Sequence, residues 1–468
     1  MQMNLITFQS DNRILNKAFR VAVGDIIGNI VHFKDGLLKE ERPCLMAGLD
    51  YITPWTRDAT INTWNAMALL SGEVSKNTLM SVLNEENGEV YIGGQYWDAI
   101  IWLIGAYEYA IVNCDDEFLR LAYQAGKNSM RKFEAEEFDN EKYLFRGPAV
   151  YGDGTSAYPD KYANCLDNSS SILKWVENPE NPKAEKGFGL PMFALSTNCV
   201  YFKAYEILAM LADKHGENGS TYCTKAIKLK EAINKHFWNS TTNNYDYLAG
   251  ECDHNEGMGL AFAILFDVAD DERIKEIYRN TYVSPYGIPC VWPTFDRYKS
   301  LNGFGRHSGT VWPHIQAFWA LAMLKSGKPK AFEKELNILA NNSYRDMHFS
   351  EIYHPETGMP YGGLQENTDM FNPDCNYMSK SEEQIREQYN PMCANEWNSL
   401  RKQIWSATGF LSLIFYGILG LSVKNGKPEF ATYLPDCCTE IKITGIKVCN
   451  RVFDIHICKN KTEILERE

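Results

Sequence analysis

The stretch Tyr51-Ile-Thr-Pro-Trp-Thr-Arg-Asp-Ala-Thr-Ile61 predicts the start of a long amphipathic helix. Pro54 ends any preceding element and sets an extended entry, and Thr56 is a good N-cap for the helix that follows. Apolar residues then recur at helical spacing, at Ile61, Trp64, Met67 and Ala68. The stretch therefore puts an aromatic ring and two opposite charges at a helix start: Trp55, Arg57 and Asp58.

The composition favours a globular protein with a sizeable core and an aromatic cleft. Of the 468 residues 45% are hydrophobic, and the chain contains 11 Trp, 26 Tyr and 23 Phe. Aromatic side chains concentrate in cores, but they also line clefts that stack on the apolar faces of ligands such as sugars. The net charge of −13 argues against nucleic acid and anionic membranes as partners.

The cysteines and the N-terminus indicate a cytoplasmic protein. The 13 Cys are scattered without metal-ligand spacing, and Cys437-Cys438 is an adjacent pair rather than a C-x-x-C motif. We therefore expect reduced thiols. The first ten residues lack the basic and apolar regions of a signal peptide. The longest apolar runs, such as residues 99–104, are too short to span a bilayer.

Periodicity predicts an almost entirely helical chain. Helices are expected at 14–33, 56–72, 74–83, 95–112, 116–133, 195–214, 221–237, 258–268, 271–279, 311–324, 331–341 and 397–421. Three long loops rich in Gly, Pro and aromatic residues interrupt them, at 138–191, 285–309 and 343–391. Loops of that length inside a compact domain usually carry function.

The pattern predicts an all-α fold followed by a small β segment. Strands and helices do not alternate before the tail, so a parallel sheet is excluded. Helices in pairs can instead close into a ring of inner and outer helices. The tail alternates apolar and polar residues at 440–448 and 452–457, which indicates strands. We expect a helical domain over residues 1–421 and a β-rich segment over 422–468.

Four loop-to-helix stretches share one design, a Trp beside a polar partner near a helix start. One such stretch is explained by capping and surface charge, but four on one chain favour a shared cleft that binds a carbohydrate. The candidate binding residues are Tyr51, Trp55, Arg57, Asp58, Gln95, Tyr96, Trp97, Asp98, His307, Trp312 and Trp405.

Two carboxylates are candidates for acid–base catalysis. Glu177 lies in the first long loop, two residues from Trp175, and a carboxyl against an indole is desolvated, which suits a general acid. Glu351 is flanked by Phe349 and Tyr353 and precedes a tight turn over residues 355–358. Within that turn Glu356 is expected to be exposed. Asp153, Asp160 and Asp167 cluster in an insertion, but their spacing matches no calcium loop.

Several of these motifs resemble one group of enzymes. Residues 51–59 resemble the sugar-clamping motif of glucoamylases. The segment Phe349-Ser-Glu-Ile-Tyr-His-Pro-Glu-Thr-Gly358 is similar to the catalytic-base segment of glucoamylases, of the glucosidase part of debranching enzymes and of processing α-glucosidases. Residues 309–313 and 403–421 resemble further stretches of the same enzymes, and Glu177 occupies the place of their general acid.

The resemblance implies an (α/α)6 barrel of the six-hairpin glycosidase type and an inverting glycoside hydrolase. Glu177 would protonate the leaving oxygen and Glu351 would activate water. The two carboxyls would lie roughly 6.5–9.5 Å apart and give a bell-shaped pH profile. Tyr353 or a neighbouring hydroxyl is expected to donate to Glu351. The expected substrate is an α-glucoside or related small oligosaccharide cut from its end, with no metal or cofactor.

Three other hypotheses use the same features differently. An inverting glycoside phosphorylase would keep the acid but replace the base with a phosphate pocket, which the complete Glu351 motif argues against. A non-catalytic carbohydrate-binding protein would keep the Trp residues but need not keep two facing carboxylates. A sugar epimerase would rely on paired histidines, and His307 and His314 stand seven residues apart.

Overall fold

A computed structural model describes residues 3–94, 99–163, 172, 192–299, 301–365, 395–424 and 426–467. Helices dominate this part of the chain. Twelve of its longer helices alternate between two layers. The outer helices are α1 (Arg13–Ile27), α3 (Gly72–Met80), α5 (Asp116–Glu136), α7 (Ser220–His236), α9 (Asp271–Asn280) and α11 (Pro329–Asp346). The inner helices are α2 (Thr56–Asn62), α4 (Trp102–Asn113), α6 (Leu195–Lys214), α8 (Gly257–Leu265), α10 (Pro313–Lys325) and α12 (Ile404–Ser412).

The inner helices form a closed ring. Each packs against the next in the order α2, α4, α6, α8, α10, α12, and α12 returns to α2. The outer helices cover this ring: α5 packs on α4 and α6, α7 on α6, α11 on α10, and α1 on α12. Because inner and outer helices alternate along the chain, the inner helices run in one direction. Their N-termini therefore lie at the same end of the ring.

The sequence pattern separates the two layers. In α8, Gly257–Ile264 are all buried, as expected of a helix that is apolar on every side. By contrast, only Ile277 is buried in α9, which is charged on most of its surface. Two inner helices continue as π-helical turns, α2 through Thr63–Met67 and α12 through Leu413–Ile418.

Aromatic rings fill the ring of helices along its axis. Trp64, which follows α2, lies 4.8 Å from the ring of Phe318 in α10 and 6.1 Å from that of Phe262 in α8, measured between centroids. Trp64 is seven residues beyond Arg57, about 10 Å along a helix. The rings thus fill the axis below the N-terminal end of the helical ring.

A four-stranded antiparallel sheet joins both ends of the described chain. Its strands are β1 (Thr7–Ser10), β2 (Glu440–Val448), β3 (Arg451–Cys458) and β4 (Lys461–Arg467), hydrogen-bonded in that order. Thr7 pairs with Thr444 and Ser10 with Ile441. The predicted strands of the tail are confirmed as β2 and β3, whereas β1 and β4 were missed. The division at residue 421 stays a prediction.

Short two-stranded ribbons connect many of the helices. Their strands are Ile30–Phe33 with Arg42–Leu45, Leu83–Glu86 with Glu89–Ile92, Phe138–Asp139 with Leu144–Phe145, Trp238–Asn239 with Asn244–Tyr245, Asn255–Glu256 with Val291–Trp292, Leu364–Gln365 with Asn395–Glu396, and Leu421–Lys424 with Lys427–Phe430. The first predicted helix therefore ends at Ile27 instead of residue 33. Similarly, the last helix begins at Ile404 instead of residue 397.

The expectation of reduced cysteines is wrong at one pair. Cys114, the left-handed C-cap of α4, forms a disulfide with Cys449 in the turn between β2 and β3. The bond ties the sheet to the ring across 335 residues of sequence. Cys437 and Cys438 are both free thiols. None of the described helices is long and apolar enough to cross a membrane.

Candidate active site

The candidate residues come from the loops that precede the inner helices. These loops meet at the N-terminal end of the ring, since the inner helices run in one direction. The segment before α2 brings Tyr51 and Trp55, the loop before α6 brings Asp153, and the loop before α10 brings Arg306 and His307. The segment before α12 brings Glu351.

The start of α2 is held in a strained conformation. Trp55 has φ 45° and ψ 140°, a region that bulky residues rarely occupy. Such a residue costs about 1–3 kcal/mol and usually marks a functional site. Thr56 is not the N-cap as expected but the first residue of the helix, and its hydroxyl donates to the Gly93 carbonyl at 2.9 Å. The indole of Trp55 is partly exposed.

Glu351 is almost completely buried, with 1% of its surface exposed. Its Oε2 lies 2.6 Å from Nη2 of Arg306, and its Oε1 accepts a hydrogen bond of 3.0 Å from the Tyr51 hydroxyl. Burial, and then the neighbouring carboxylate, hold the pKa of Tyr51 well above its usual value, so the phenol stays a donor. Burial and the charge of Glu351 also raise the pKa of Asp50 nearby.

Arg306 compensates the buried charge of Glu351. Its guanidinium lies between two indoles, 5.6 Å from the centroid of Trp312 and 5.4 Å from that of Trp397. Nη1 donates to the Gly362 carbonyl at 3.0 Å. A buried ion pair needs such extra bonds to offset desolvation. The arginine therefore fixes both the position and the charge balance of the carboxylate.

The backbone around Glu351 is fastened to neighbouring elements. The Phe349 N–H donates to Oδ2 of Asp25 in α1 at 2.8 Å, and burial raises the pKa of Asp25 to about 6. Of the two donors expected for Glu351, the structure has the neighbouring hydroxyl, that of Tyr51, whereas the Tyr353 hydroxyl accepts from the Ser350 N–H at 3.1 Å.

Asp153 is a second carboxylate of the site, and its side chain is 43% exposed. Its Oδ2 lies 3.3 Å from Nη2 of Arg57, and its Oδ1 lies 3.5 Å from Nε2 of His307. Because Arg306 holds Glu351 and the next residue, His307, contacts Asp153, one dipeptide connects both carboxylates. Asp58, buried in the first turn of α2, also belongs to this region, because its charge contributes to the raised pKa of Tyr51.

The predicted tryptophans of α10 and α12 form the wall of the site. Trp312 stacks on His307 at 5.0 Å, and Trp405 stacks on His314 at 4.1 Å between ring centroids. Trp405 also donates from Nε1 to the Gln403 amide oxygen at 3.2 Å. Both indoles are nearly inaccessible. Trp55 is thus the described Trp of the predicted set that offers an open ring face.

Part of the predicted site lies outside the described residues. Gln95, Tyr96, Trp97, Asp98 and Glu177 all belong to segments that the structure does not describe, as does Asp167 of the acidic insertion. Within the described ranges, no group of three or more His, Cys, Asp or Glu side chains is arranged to hold a metal ion.

Sequence analysis missed Arg306 and Asp153 as members of the site. The signal for Asp153 was present in the sequence, since an acid between Gly152 and Gly154 forms a tight loop beside aromatic residues. A Cβ at Gly154 would lie 2.5 Å from both Gln365 Oε1 and His307 Nδ1. Only glycine lets the loop approach these groups so closely. Arg306 carried no local signal, because its partner lies 45 residues away.

Asp58 provides a first test of the site. Replacing Asp58 by Asn should lower kcat/KM by about 10²–10³-fold, because charge-assisted hydrogen bonds to a distorted sugar strengthen toward the transition state. The measurement is steady-state kinetics on the best glycoside of a substrate panel. The matched control is Asp116→Asn, an acid in the first turn of the outer helix α5 whose side chain is 80% exposed. Full kcat/KM in Asp58→Asn would contradict the assignment.

Comparison with known families shows that the chain carries a glycosidase domain, the class expected from its motifs. The chain belongs to the family of mannosylglycerate hydrolase MGH1-like glycoside hydrolase domains, whose model matches residues 101–372. The predicted resemblance to six-hairpin glycosidases is thereby confirmed. No curated protein sequence matches the chain.

Solved structures share the fold at low sequence identity. A sialidase superposes with a TM-score of 0.70 at 13% identity, over 99% of this chain and 40% of its own. A GH78 family rhamnosidase of Bacillus sp. GL1 gives 0.59 at 14%, over 99% and 41%. GH63 mannosylglycerate hydrolase from Thermus thermophilus, in complex with glucose, gives 0.59 at 12%, over 85% and 100%. The chain thus spans about two fifths of the first two proteins.

Proposed function

We propose that this glycosidase is an inverting glycoside hydrolase on an (α/α)6 barrel, with Glu351 as the general base. The observation that carries the proposal is the Arg306-His307 dipeptide, which contacts Glu351 on one side and Asp153 on the other. An inverting enzyme needs two carboxyls that flank the glycosidic bond from opposite faces, with room for a water molecule. The closed ring of inner helices supports the barrel.

Two carboxylates are proposed for the general acid. Glu177 is favoured by its place in the motif order beside Trp175. Asp153 is favoured by geometry: among the described residues it is the carboxylate at the mouth that contacts His307 and Arg57, and it is exposed enough to meet a glycosidic oxygen. We give Asp153 precedence, because its contacts link it directly to the residues that hold the base.

The aromatic packing along the axis of the helical ring supports an exo-acting enzyme. Aromatic rings led by Trp64 close the ring axis beneath the site, so a sugar chain cannot pass through it. A blind pocket accepts one terminal sugar and leaves the rest of the substrate in solvent. An α-glucoside or related small oligosaccharide is the proposed substrate. The names of the structural neighbours add mannosides and rhamnosides to the sugars that should be tried.

The phosphorylase and binding-protein hypotheses fit the site less well. A phosphorylase needs cationic groups directed at phosphate, whereas the two arginines of the described site, Arg57 and Arg306, both face carboxylates. A binding protein has no need of a buried glutamate held by a tyrosine and an arginine. A cytoplasmic location stays part of the proposal, and carbohydrate is the proposed partner.

The stereochemistry of the product tests the mechanism. We expect hydrolysis of one member of a panel of α-glucosides, α-mannosides and α-L-rhamnosides in the absence of phosphate. The first product anomer seen by proton NMR should have the configuration opposite to that of the substrate, because water attacks from the face opposite the leaving group. A product of retained configuration would exclude the inverting mechanism.

The same panel separates the alternatives. Turnover that requires inorganic phosphate and yields a sugar phosphate would identify a phosphorylase. Binding in calorimetry with no turnover of any glycoside would identify a binding protein.

A further inference from the structure

The imidazole of His307 is surrounded by partners that decide which ring nitrogen carries its proton. Ser156 Oγ lies 3.0 Å from Nδ1 and also accepts the backbone N–H of His307 at 3.2 Å. The Ser156 hydroxyl donates to Oε1 of Gln365 at 3.1 Å, and Gln365 is itself a hydrogen-bond partner of His307. On the other side of the ring, Nε2 faces Oδ1 of Asp153 at 3.5 Å.

Counting hydrogens fixes the tautomer. A serine hydroxyl has one hydrogen, and Gln365 Oε1, which can only accept, takes it. Toward Nδ1 of His307, Ser156 Oγ therefore has only a lone pair and acts as the acceptor. Nδ1 must then carry the hydrogen and donate it. A neutral imidazole has a single N–H, which leaves Nε2 with a bare lone pair. His307 is neutral because burial lowers its pKa to about 3.

We propose that His307 is a positioning residue that accepts a hydrogen bond at Nε2 from the protonated carboxyl of Asp153 and so holds the catalytic proton at Oδ1. The inference rests on the proposed function, with Asp153 as the general acid. A carboxyl oxygen cannot form a hydrogen bond with a bare nitrogen unless that oxygen carries a proton. The Ser156–Gln365 pair thus acts on the carboxyl of Asp153 through the imidazole of His307.

The proton balance of the reaction is closed. Asp153 gives its proton to the glycosidic oxygen as the bond from that oxygen to the anomeric carbon breaks. Water forms the new bond to the anomeric carbon and gives a proton to Glu351, which releases that proton to solvent after the product leaves. His307 stays neutral throughout. The free Asp153 carboxylate, 43% exposed, then recovers a proton from solvent.

Another charged group beside Asp153 favours the ionised carboxylate, opposite to the effect of His307. Arg57, from α2, lies 3.3 Å from Oδ2 and stabilises the carboxylate that forms when the proton leaves. Tyr158 of the same loop stays neutral, because burial raises its pKa and the charge of Asp153 raises that pKa further. Arg306, beside His307, pairs with Glu351 instead. Asp153 therefore has one partner suited to its acid form and one suited to its base form.

The tautomer is measured directly by NMR on the intact protein. Selective ¹⁵N labelling of the nine histidines, with His307 assigned by its loss in His307→Gln, should show a proton on Nδ1 and none on Nε2 at neutral pH. A proton on Nε2 would overturn the proposal, and this readout does not depend on activity.

Kinetics then tests the consequence. Gln365→Leu removes the acceptor of the Ser156 hydroxyl hydrogen, so that hydroxyl can donate to Nδ1 of His307. The imidazole can then carry its proton on Nε2, the nitrogen that faces Asp153. Hydrolysis of a methyl glycoside, which needs the acid, should fall about 10–100-fold, within the range of acid catalysis. In this variant the rate on the alkaline side of the pH profile should begin to fall at a lower pH than in the wild type. Hydrolysis of the glycosyl fluoride, which needs no acid, should change less than about threefold.

Two further variants serve as controls. Ser156→Thr keeps the hydroxyl and should keep the wild-type ratio between the two substrates. Gln316→Leu removes a buried glutamine that binds Glu335 far from the acid, and it should leave that ratio unchanged whatever it does to the melting temperature. An equal loss on both substrates in Gln365→Leu would contradict the role of His307. Full activity in both Asp153→Asn and Glu351→Gln would instead refute the proposed function.

Discussion

Replacing Glu351 by Gln should lower kcat for hydrolysis by about 10²–10⁴-fold and leave substrate binding nearly unchanged, the usual size of a general-base contribution. The amide oxygen can still accept from Arg306 and the amide NH2 can donate to the Tyr51 hydroxyl, but the amide cannot take a proton from water. A small anion such as azide should restore part of the rate, because it needs no base. A glycosyl fluoride of the wrong anomer should also be turned over. The measurement is kcat and KM by stopped assay.

The loss must be separated from a loss of stability. Removing one partner of a buried ion pair can cost about 3–5 kcal/mol, so the melting temperature of Glu351→Gln belongs beside its kinetics. Glu356→Gln is the matched control, since Glu356 lies five residues on in the same segment and is exposed. If Glu351→Gln folds normally and retains its rate within about threefold, Glu351 is not the base.

Asp153→Asn should reduce hydrolysis of a methyl glycoside by about 10²–10⁴-fold, because an unactivated alkoxide cannot leave without a proton. The loss should be much smaller on a glycosyl fluoride or dinitrophenyl glycoside, whose leaving groups need no acid. Glu177→Gln should change both substrates by less than about threefold if Asp153 is the acid. The measurement is the ratio of kcat/KM between the two kinds of substrate.

The comparison decides between the two proposed acids. A large, leaving-group-dependent loss in Glu177→Gln and none in Asp153→Asn would assign the acid to Glu177. Asp160→Asn is the control within the same loop, because Asp160 pairs with Arg297 and is 48% exposed. It should follow the wild type on every substrate.

The helical layout was largely predictable from the sequence. Hydrophobic periodicity and helix-breaking residues located most helices within a few residues, apart from the end of the first helix and the start of the last, because apolar stripes and all-apolar helices distinguish outer from inner positions. The ribbons were missed, since strands such as Phe138–Asp139 are two residues long and leave no periodic signal. Strand β1 was also missed, because its partner lies more than 430 residues away and pairing at that distance has no local pattern.

The site was predictable only where chemistry sits in a local motif. Glu351, Asp58 and Tyr51 follow from contiguous segments. The ion pair of Arg306, the contact between His307 and Asp153 and the hydroxyl of Ser156 all join residues from different loops. Such contacts depend on the closure of the helical ring, which a single sequence does not encode locally. The disulfide between Cys114 and Cys449 was missed for the same reason.

The pairing of β1 with β2 also affects how the protein is made. On the ribosome, β1 emerges more than 430 residues before its partner Glu440–Val448. At about 5–20 residues per second, the nascent chain waits roughly 20–90 s for that strand. The final contact of the helical ring, between α2 and α12, is delayed almost as long. Until both contacts form, an unpaired strand and an open apolar surface must be shielded from other nascent chains.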